Sequence, residues 1–321
     1  MNHLESAFSG KNAFWRYLVM IAAVFIAANT AGAIPLIVAL IVKAASEPQV
    51  VSGLSQNSSE LVALGLEPNM GLFVMLFPFL AGAITFALLI KPLNNRTLIK
   101  TINGRSSVRW GRTGISALIW LLISALYLFV QMKSDPDVFV LNNISKTLIP
   151  LVIISVLFIP FQAAFEELLF RGYLMQGFAV LFRNRWAPLI STSVLFGLLH
   201  GWNPEIKEFG FFTMMPQYIL FGLVFGIITI IDDGIEIPLG VHAANNIFLS
   251  VMITSKSSVI QTPAVFEQKI IHPWTEFTGL LIASVIFIIL LKYIFKWKDM
   301  MVLFRKIDIY SGINKQAENG I

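Results

Sequence analysis

The chain has 321 residues, 56% of them hydrophobic, with only 23 Lys/Arg and 18 Asp/Glu. Soluble domains carry about 45–50% apolar and ~25% charged residues, which excludes an ordinary soluble enzyme, a disordered chain and a large extramembrane domain. The absence of cysteine rules out disulfides, thiol catalysis and Cys-ligated metals, and the net charge of +5 fits loops that orient a membrane protein rather than a nucleic-acid surface.

A membrane helix needs ~20 apolar residues. Runs of that kind cover Tyr17–Val42, Met70–Ile90, Thr113–Met132, Thr147–Phe165 continuing to Phe182, Trp186–His200, Phe209–Ile231, Ile237–Ile253 and Pro273–Leu291. They predict an all-α, polytopic membrane protein of about eight transmembrane helices, a single transmembrane domain over 1–321. The seventh run is short for a span and the fourth too long to lie wholly within a bilayer. In the first, Ala31-Gly32-Ala33 resembles a signal-peptidase site, but the apolar run continues to Val42, so the reading is a retained span. Ser52–Ser59 reads as an exposed loop. No repeat or long linker divides the chain.

Lys and Arg in short loops set the orientation. The 91–112 loop holds Lys91, Arg96, Lys100, Arg105, Arg109 and Arg112 with no acid, and the 171–185 connection holds three arginines. Residues 292–321 form a basic cytoplasmic tail with Lys292, Lys296, Lys298, Arg305, Lys306 and Lys315. Alternation through eight spans then puts both termini in the cytoplasm. The acidic Asp232–Glu236 turn falls on the same side and is the one loop that does not support this topology.

Nearly every charge sits in a loop. The ionisable exceptions are Glu166, Glu167 and Arg171 in the fourth run, His200 ending the fifth and His242 in the seventh. A charge at the bilayer centre costs at least ~2.5–3.5 kcal/mol, so such residues face protein or a water-filled cavity and act there. Three helices contribute, which points to one assembled site. Glu167 and Arg171 are one helical turn apart and form a structural pair, leaving Glu166 free for chemistry. His242 and Asn246 project from one face of their helix. Counted from a turn near Asn184, Glu166 and His200 lie roughly 27 and 24 Å deep, while His242 is about 14 Å from its own turn. The levels agree if the Arg183/Arg185 tip projects some 10 Å from the membrane. His3 and His272 lie outside the spans and read as surface residues.

Glu166-Glu167-x-x-x-Arg171, Phe196-x-x-x-His200 and His242-x-x-x-Asn246, in that order, resemble the CPBP family of intramembrane proteases. That family is related to the type II CaaX prenyl endopeptidases and the bacterial Abi-like proteins. The resemblance covers a motif-bearing core, 147–253, and implies a polar intramembrane cavity open to the cytoplasmic side. It implies that Glu166 and His200 activate a water while His242 and Asn246 stabilise the oxyanion, with Glu167 and Arg171 as support and no cofactor required. Amide hydrolysis needs such a base and such donors.

Zinc held by Glu166, His200 and His242 is the alternative mechanism, although no His-Glu-x-x-His helix is present. Serine chemistry lacks a Gly-x-Ser-x-Gly elbow. A proton-coupled transporter and a non-catalytic scaffold or bacteriocin-immunity protein are the alternatives of other classes. No inverted repeat supports the transporter. The expected partners are the lipid bilayer and a peptide or membrane-protein substrate, with a prenylated tail as one option. The expected location is a bacterial cell membrane.

Overall fold

The computed structural model describes residues 2–46, 65–143, 146–259 and 261–307. The Ser52–Ser59 loop and the tail beyond 307, Lys315 included, lie outside the described residues. The first half contains α1 (Phe14–Asn29), α2 (Ile34–Ser46), α3 (Pro68–Asn94), the short α4 (Leu98–Ile102) and α5 (Trp110–Ser134). The second contains α6 (Leu148–Glu167), a π-helical stretch Leu168–Leu174, α7 (Met175–Phe182), α8 (Trp186–Leu199) and the short α9 (Pro204–Phe209). It ends with α10 (Phe211–Asp232), α11 (Glu236–Met252) and α12 (Pro273–Ile294). Among the described residues, six apolar helical stretches are long enough to cross a membrane, with α8 and α11 as shorter helices among them. The chain is an all-α, polytopic integral membrane protein.

Two expected spans take a different form. The Tyr17–Val42 run is two helices, α1 and α2, joined by a 3-10 turn at Ala31–Ala33. The turn presses on α3: a Cβ on Gly32 would stand 2.6 Å from Pro78 Cα, so only glycine fits there. Helix α8 has only 14 residues, about 21 Å at helical rise, and so ends at His200 short of a full crossing.

Helix α6 packs between α3 and α11, and α11 in turn packs against α5. Helix α10 is the most enclosed span, half of its central window being buried. It crosses α8 closely because Gly222-x-x-x-Gly226 presents no side chains: a Cβ on Gly222 would lie 2.7 Å from Ser193 Cα.

The loops gather at two ends. At one, β1 (Phe139–Leu141), β2 (Ile253–Thr254) and β3 (Phe266–Gln268) form a small sheet in the order β1-β3-β2, antiparallel between β1 and β3 and parallel between β3 and β2. At the other end, the N-terminal segment, the 95–109 loop, the 183–185 turn, the 232–236 turn and residues 296–307 meet. Arg185 donates to the carbonyls of Arg305 and Lys306 and pairs with Glu5 at 3.4 Å. The acidic turn that ran against the topology belongs here for a physical reason. Arg109 chelates Glu236 through Nε and Nη2 at 2.9 and 2.6 Å, Arg109 and Arg112 both pair with Asp232, and Arg105 stands 3.7 Å from Asp233. The acids neutralise the basic loop instead of opposing it.

His3 is a second correction. It is buried, not at the surface, because the N-terminal segment folds back onto the π-helical stretch. His3 Nε2 donates to the Arg171 carbonyl at 3.0 Å. Burial holds its imidazole below the ordinary value, an effect that the Arg171 hydrogen bond and the nearby carboxylates of Asp233 and Glu236 only partly offset. His272, by contrast, is exposed as expected.

Candidate active site

The motif residues hang from three packed elements: the end of α6 with the π-helical stretch, the C-terminal end of α8, and the first three turns of α11. A π turn inside an α-helix adds a residue per turn and often marks a functional site. Here it follows Glu166 and Glu167 directly and carries Arg171.

Arg171 is fully buried, and its Nη1 donates to Glu167 Oε1 at 2.8 Å. Its guanidinium lies 4.5 Å from the centre of the Phe196 ring, and Nη2 reaches the carbonyl of Gly222 at 3.3 Å. The pair expected from spacing is therefore present, and it is tied to α8 and α10.

Glu167 does more than the spacing indicated. The same Oε1 accepts from His242 Nδ1 at 2.8 Å. That bond places a proton on Nδ1 and turns Nε2 of His242 toward Glu166, whose Oε2 stands 3.8 Å away, so that Nε2 is a donor only in the doubly protonated ring. Glu166 is buried; its Oε1 takes a long 3.4 Å hydrogen bond from Gln162, one turn earlier on α6, and its Oε2 has no hydrogen-bond partner among the described residues. A water set ~2.8 Å from both Glu166 Oε2 and His242 Nε2 would touch the two together.

His200 follows the same rule from another direction. Its Nδ1 donates to the Phe196 carbonyl at 2.7 Å, so Nε2 is the nitrogen left for chemistry. Its ring stacks on Tyr218 with centroids 4.7 Å apart and an interplanar angle of 21°, and Tyr218 is held by Asn203 at 3.1 Å. No hydrogen bond or ion pair joins His200 to Glu166. The two histidines share Phe196, whose ring lies 4.7 Å from His200 and 6.2 Å from His242. Asn246 is half-buried, and its Oδ1 accepts from Asn245, which is anchored in turn by Trp120. The Nδ2 of Asn246 is left uncommitted.

Among the described residues, no three His, Asp or Glu side chains stand in a group able to hold a metal. The alternative zinc set of Glu166, His200 and His242 is thus not assembled here.

Three contributors escaped the sequence reading. The role of Glu167 toward His242 joins residues 75 apart, and helix spacing carries no signal for it. Tyr218 also left none. Gln162 did leave one, being a polar residue one turn before Glu166 inside an apolar run.

Comparison with known proteins places this site in context. Residues 145–248 match the family model described as type II CAAX prenyl endopeptidase Rce1-like. The uncharacterized protein YyaK of Bacillus subtilis (strain 168) is 32% identical over 269 residues, covering 81% of this chain and 84% of that protein. No solved structure matches.

Proposed function

Because the chain belongs to the Rce1-like family of type II CAAX prenyl endopeptidases, we propose that it hydrolyses a peptide bond within the membrane by a glutamate-activated water. The observation that carries this reading is the buried Glu166 Oε2, without a hydrogen-bond partner among the described residues and 3.8 Å from His242 Nε2. In this reading Glu166 takes the proton of the attacking water, and His200 assists through its uncommitted Nε2. As the imidazolium, with Nδ1–H on Glu167, His242 donates through Nε2–H to the oxyanion, and Asn246 donates through Nδ2. The proton gained by Glu166 then passes to the leaving amine. Glu167 and Arg171 hold His242 in place and take no proton. No metal is needed, since base and donors are supplied by side chains.

The substrate proposed is the C-terminal tail of a peptide or membrane protein, with a prenylated tail as the first to try. Purified protein should cleave a prenylated CaaX peptide at undiminished rate in a strong chelator. Loss of activity in chelator, restored by stoichiometric zinc, would favour the metal mechanism instead.

The proposed orientation places the arginine-rich end in the cytoplasm, on the positive-inside rule. The chain has no cysteine, so single cysteines at Lys100 and Lys269 can be labelled cleanly from either side. The orientation predicts that Lys100 reacts only from the cytoplasm and Lys269 only from outside.

A further inference from the structure

A cavity of about 340 Å³ opens at the arginine-rich end, between the N-terminal segment, the start of α5 and the residues after α12. It shares no residue with the site described above. Six cations line it: Arg105, Arg109, Arg112, Arg185, Lys296 and Lys298. The three carboxylates in its wall are already engaged. Asp232 is held by Arg109 and Arg112, Asp233 by Arg105 and the His3 backbone amide, and Asp299 by Arg305 at 2.9 Å. Among the described residues, Lys296 and Lys298 have no hydrogen bond and no acidic partner. Arg105 is half-exposed and its contact with Asp233 is long, so it remains open to another anion.

The backbone that carries the two exposed lysines is anchored. Between them Trp297 is buried, and its indole nitrogen donates to Asp232 at 2.6 Å. Lys296 itself takes a left-handed backbone, φ 53°, which turns the chain out of α12. The short 3-10 helix Met300–Phe304 follows, with Met301 and Phe304 more than 60% exposed. The Phe304 ring packs on Trp186 at 5.3 Å, at the start of α8. Exposed apolar and aromatic side chains beside lysines and arginines are the signature of the bilayer interface, where Trp sits at headgroup level. In the proposed orientation the cavity falls at the level of the lipid phosphates, with Arg105, Lys296 and Lys298 left unmatched by its own acids.

We propose that this cavity binds a phosphate-bearing anion, supplied by the headgroup of an anionic phospholipid or by free phosphate. Arginine forks suit the phosphate oxygens and lysines add point charges. Binding to the folded state alone raises its melting temperature.

The test is the melting temperature of the purified full-length protein in neutral detergent with phosphatidylglycerol, phosphatidylcholine or inorganic phosphate. Wild type is set beside Lys296→Gln/Lys298→Gln and beside Lys11→Gln/Lys91→Gln, a control that removes two exposed charges outside the cavity. Phosphatidylglycerol is expected to raise the melting temperature by several degrees over phosphatidylcholine in wild type and control. At least half of that gain should vanish in Lys296→Gln/Lys298→Gln, with single Lys298→Gln intermediate. A matching shift with inorganic phosphate would identify free phosphate as the source, and a shift with phosphatidylglycerol alone would identify the headgroup. The proposal is overturned if neither anion shifts wild type, if the Lys296→Gln/Lys298→Gln protein keeps the full gain, or if both double variants lose it equally.

Discussion

The carboxylates at the arginine-rich end and those inside the bundle are matched on different terms. At that end Asp232, Asp233 and Glu236 each have an arginine at 2.6–3.7 Å. In the interior Glu167 has both Arg171 and His242 at 2.8 Å, while Glu166 has only a 3.4 Å amide and a histidine at 3.8 Å. Pairing at the rim lets charged loops lie together at low cost: Asp232 and Glu236 are buried, but the arginines that hold them still reach water. Within the bundle an under-matched carboxylate is expensive, and such groups concentrate at functional sites. The difference separates charges that hold the fold from one that is free to react.

The comparison sharpens first at Glu167. Glu167→Gln removes the common partner of a buried guanidinium and of His242. Breaking a buried pair costs ~3–5 kcal/mol, so this variant should melt well below wild type in detergent and lose activity with it. Normal stability in Glu167→Gln would dissolve the distinction between the two glutamates.

The arginine-rich end should yield less. Arg109→Ala leaves Glu236 with Asn103 as its side-chain donor, but Arg109 reaches the surface. A loss of about 2 kcal/mol is expected, typical of a charged hydrogen bond, and shrinking in high salt. Cleavage per folded molecule should not change. Loss of cleavage without loss of stability would show that the two clusters are coupled.

The smallest effect is at His3. Its pKa in the folded protein lies below the ordinary 6.5, so the unfolded chain binds the proton more readily. Its stabilising contribution is present above pH ~6.5 and declines as the pH falls below that value toward the folded pKa. Wild type should therefore lose melting temperature between pH 7 and 5 more steeply than His3→Gln, which keeps a donor for the Arg171 carbonyl. Parallel curves would remove His3 as the brace of the π-helical stretch.

Spans and motif helices were legible because lipid demands long apolar runs and penalises charge within them. The Glu167–Arg171 bond was legible because it lies one turn away on one helix. What was hidden is non-local. His242 finds Glu167 from another helix, and the acidic turn finds its arginines 120 or more residues away. The π turn leaves hydropathy unchanged, since it alters hydrogen-bond spacing and not composition. His3 looked exposed because chain ends usually are, yet a docked terminus is tied down by its bonds. The Gly222/Gly226 pair stood in plain view as a small-residue helix contact and explains how α8 brings His200 to the site.

The most direct test is Glu166→Gln, with cleavage of a substrate peptide and thermal stability measured on the same detergent-solubilised preparation. The substitution keeps the side-chain volume and removes only the ionisable group. The account predicts a melting temperature close to that of wild type and turnover reduced at least ~10²-fold, the usual contribution of a general base. A stable variant that still cleaves at the wild-type rate would contradict the assignment of Glu166 as the base.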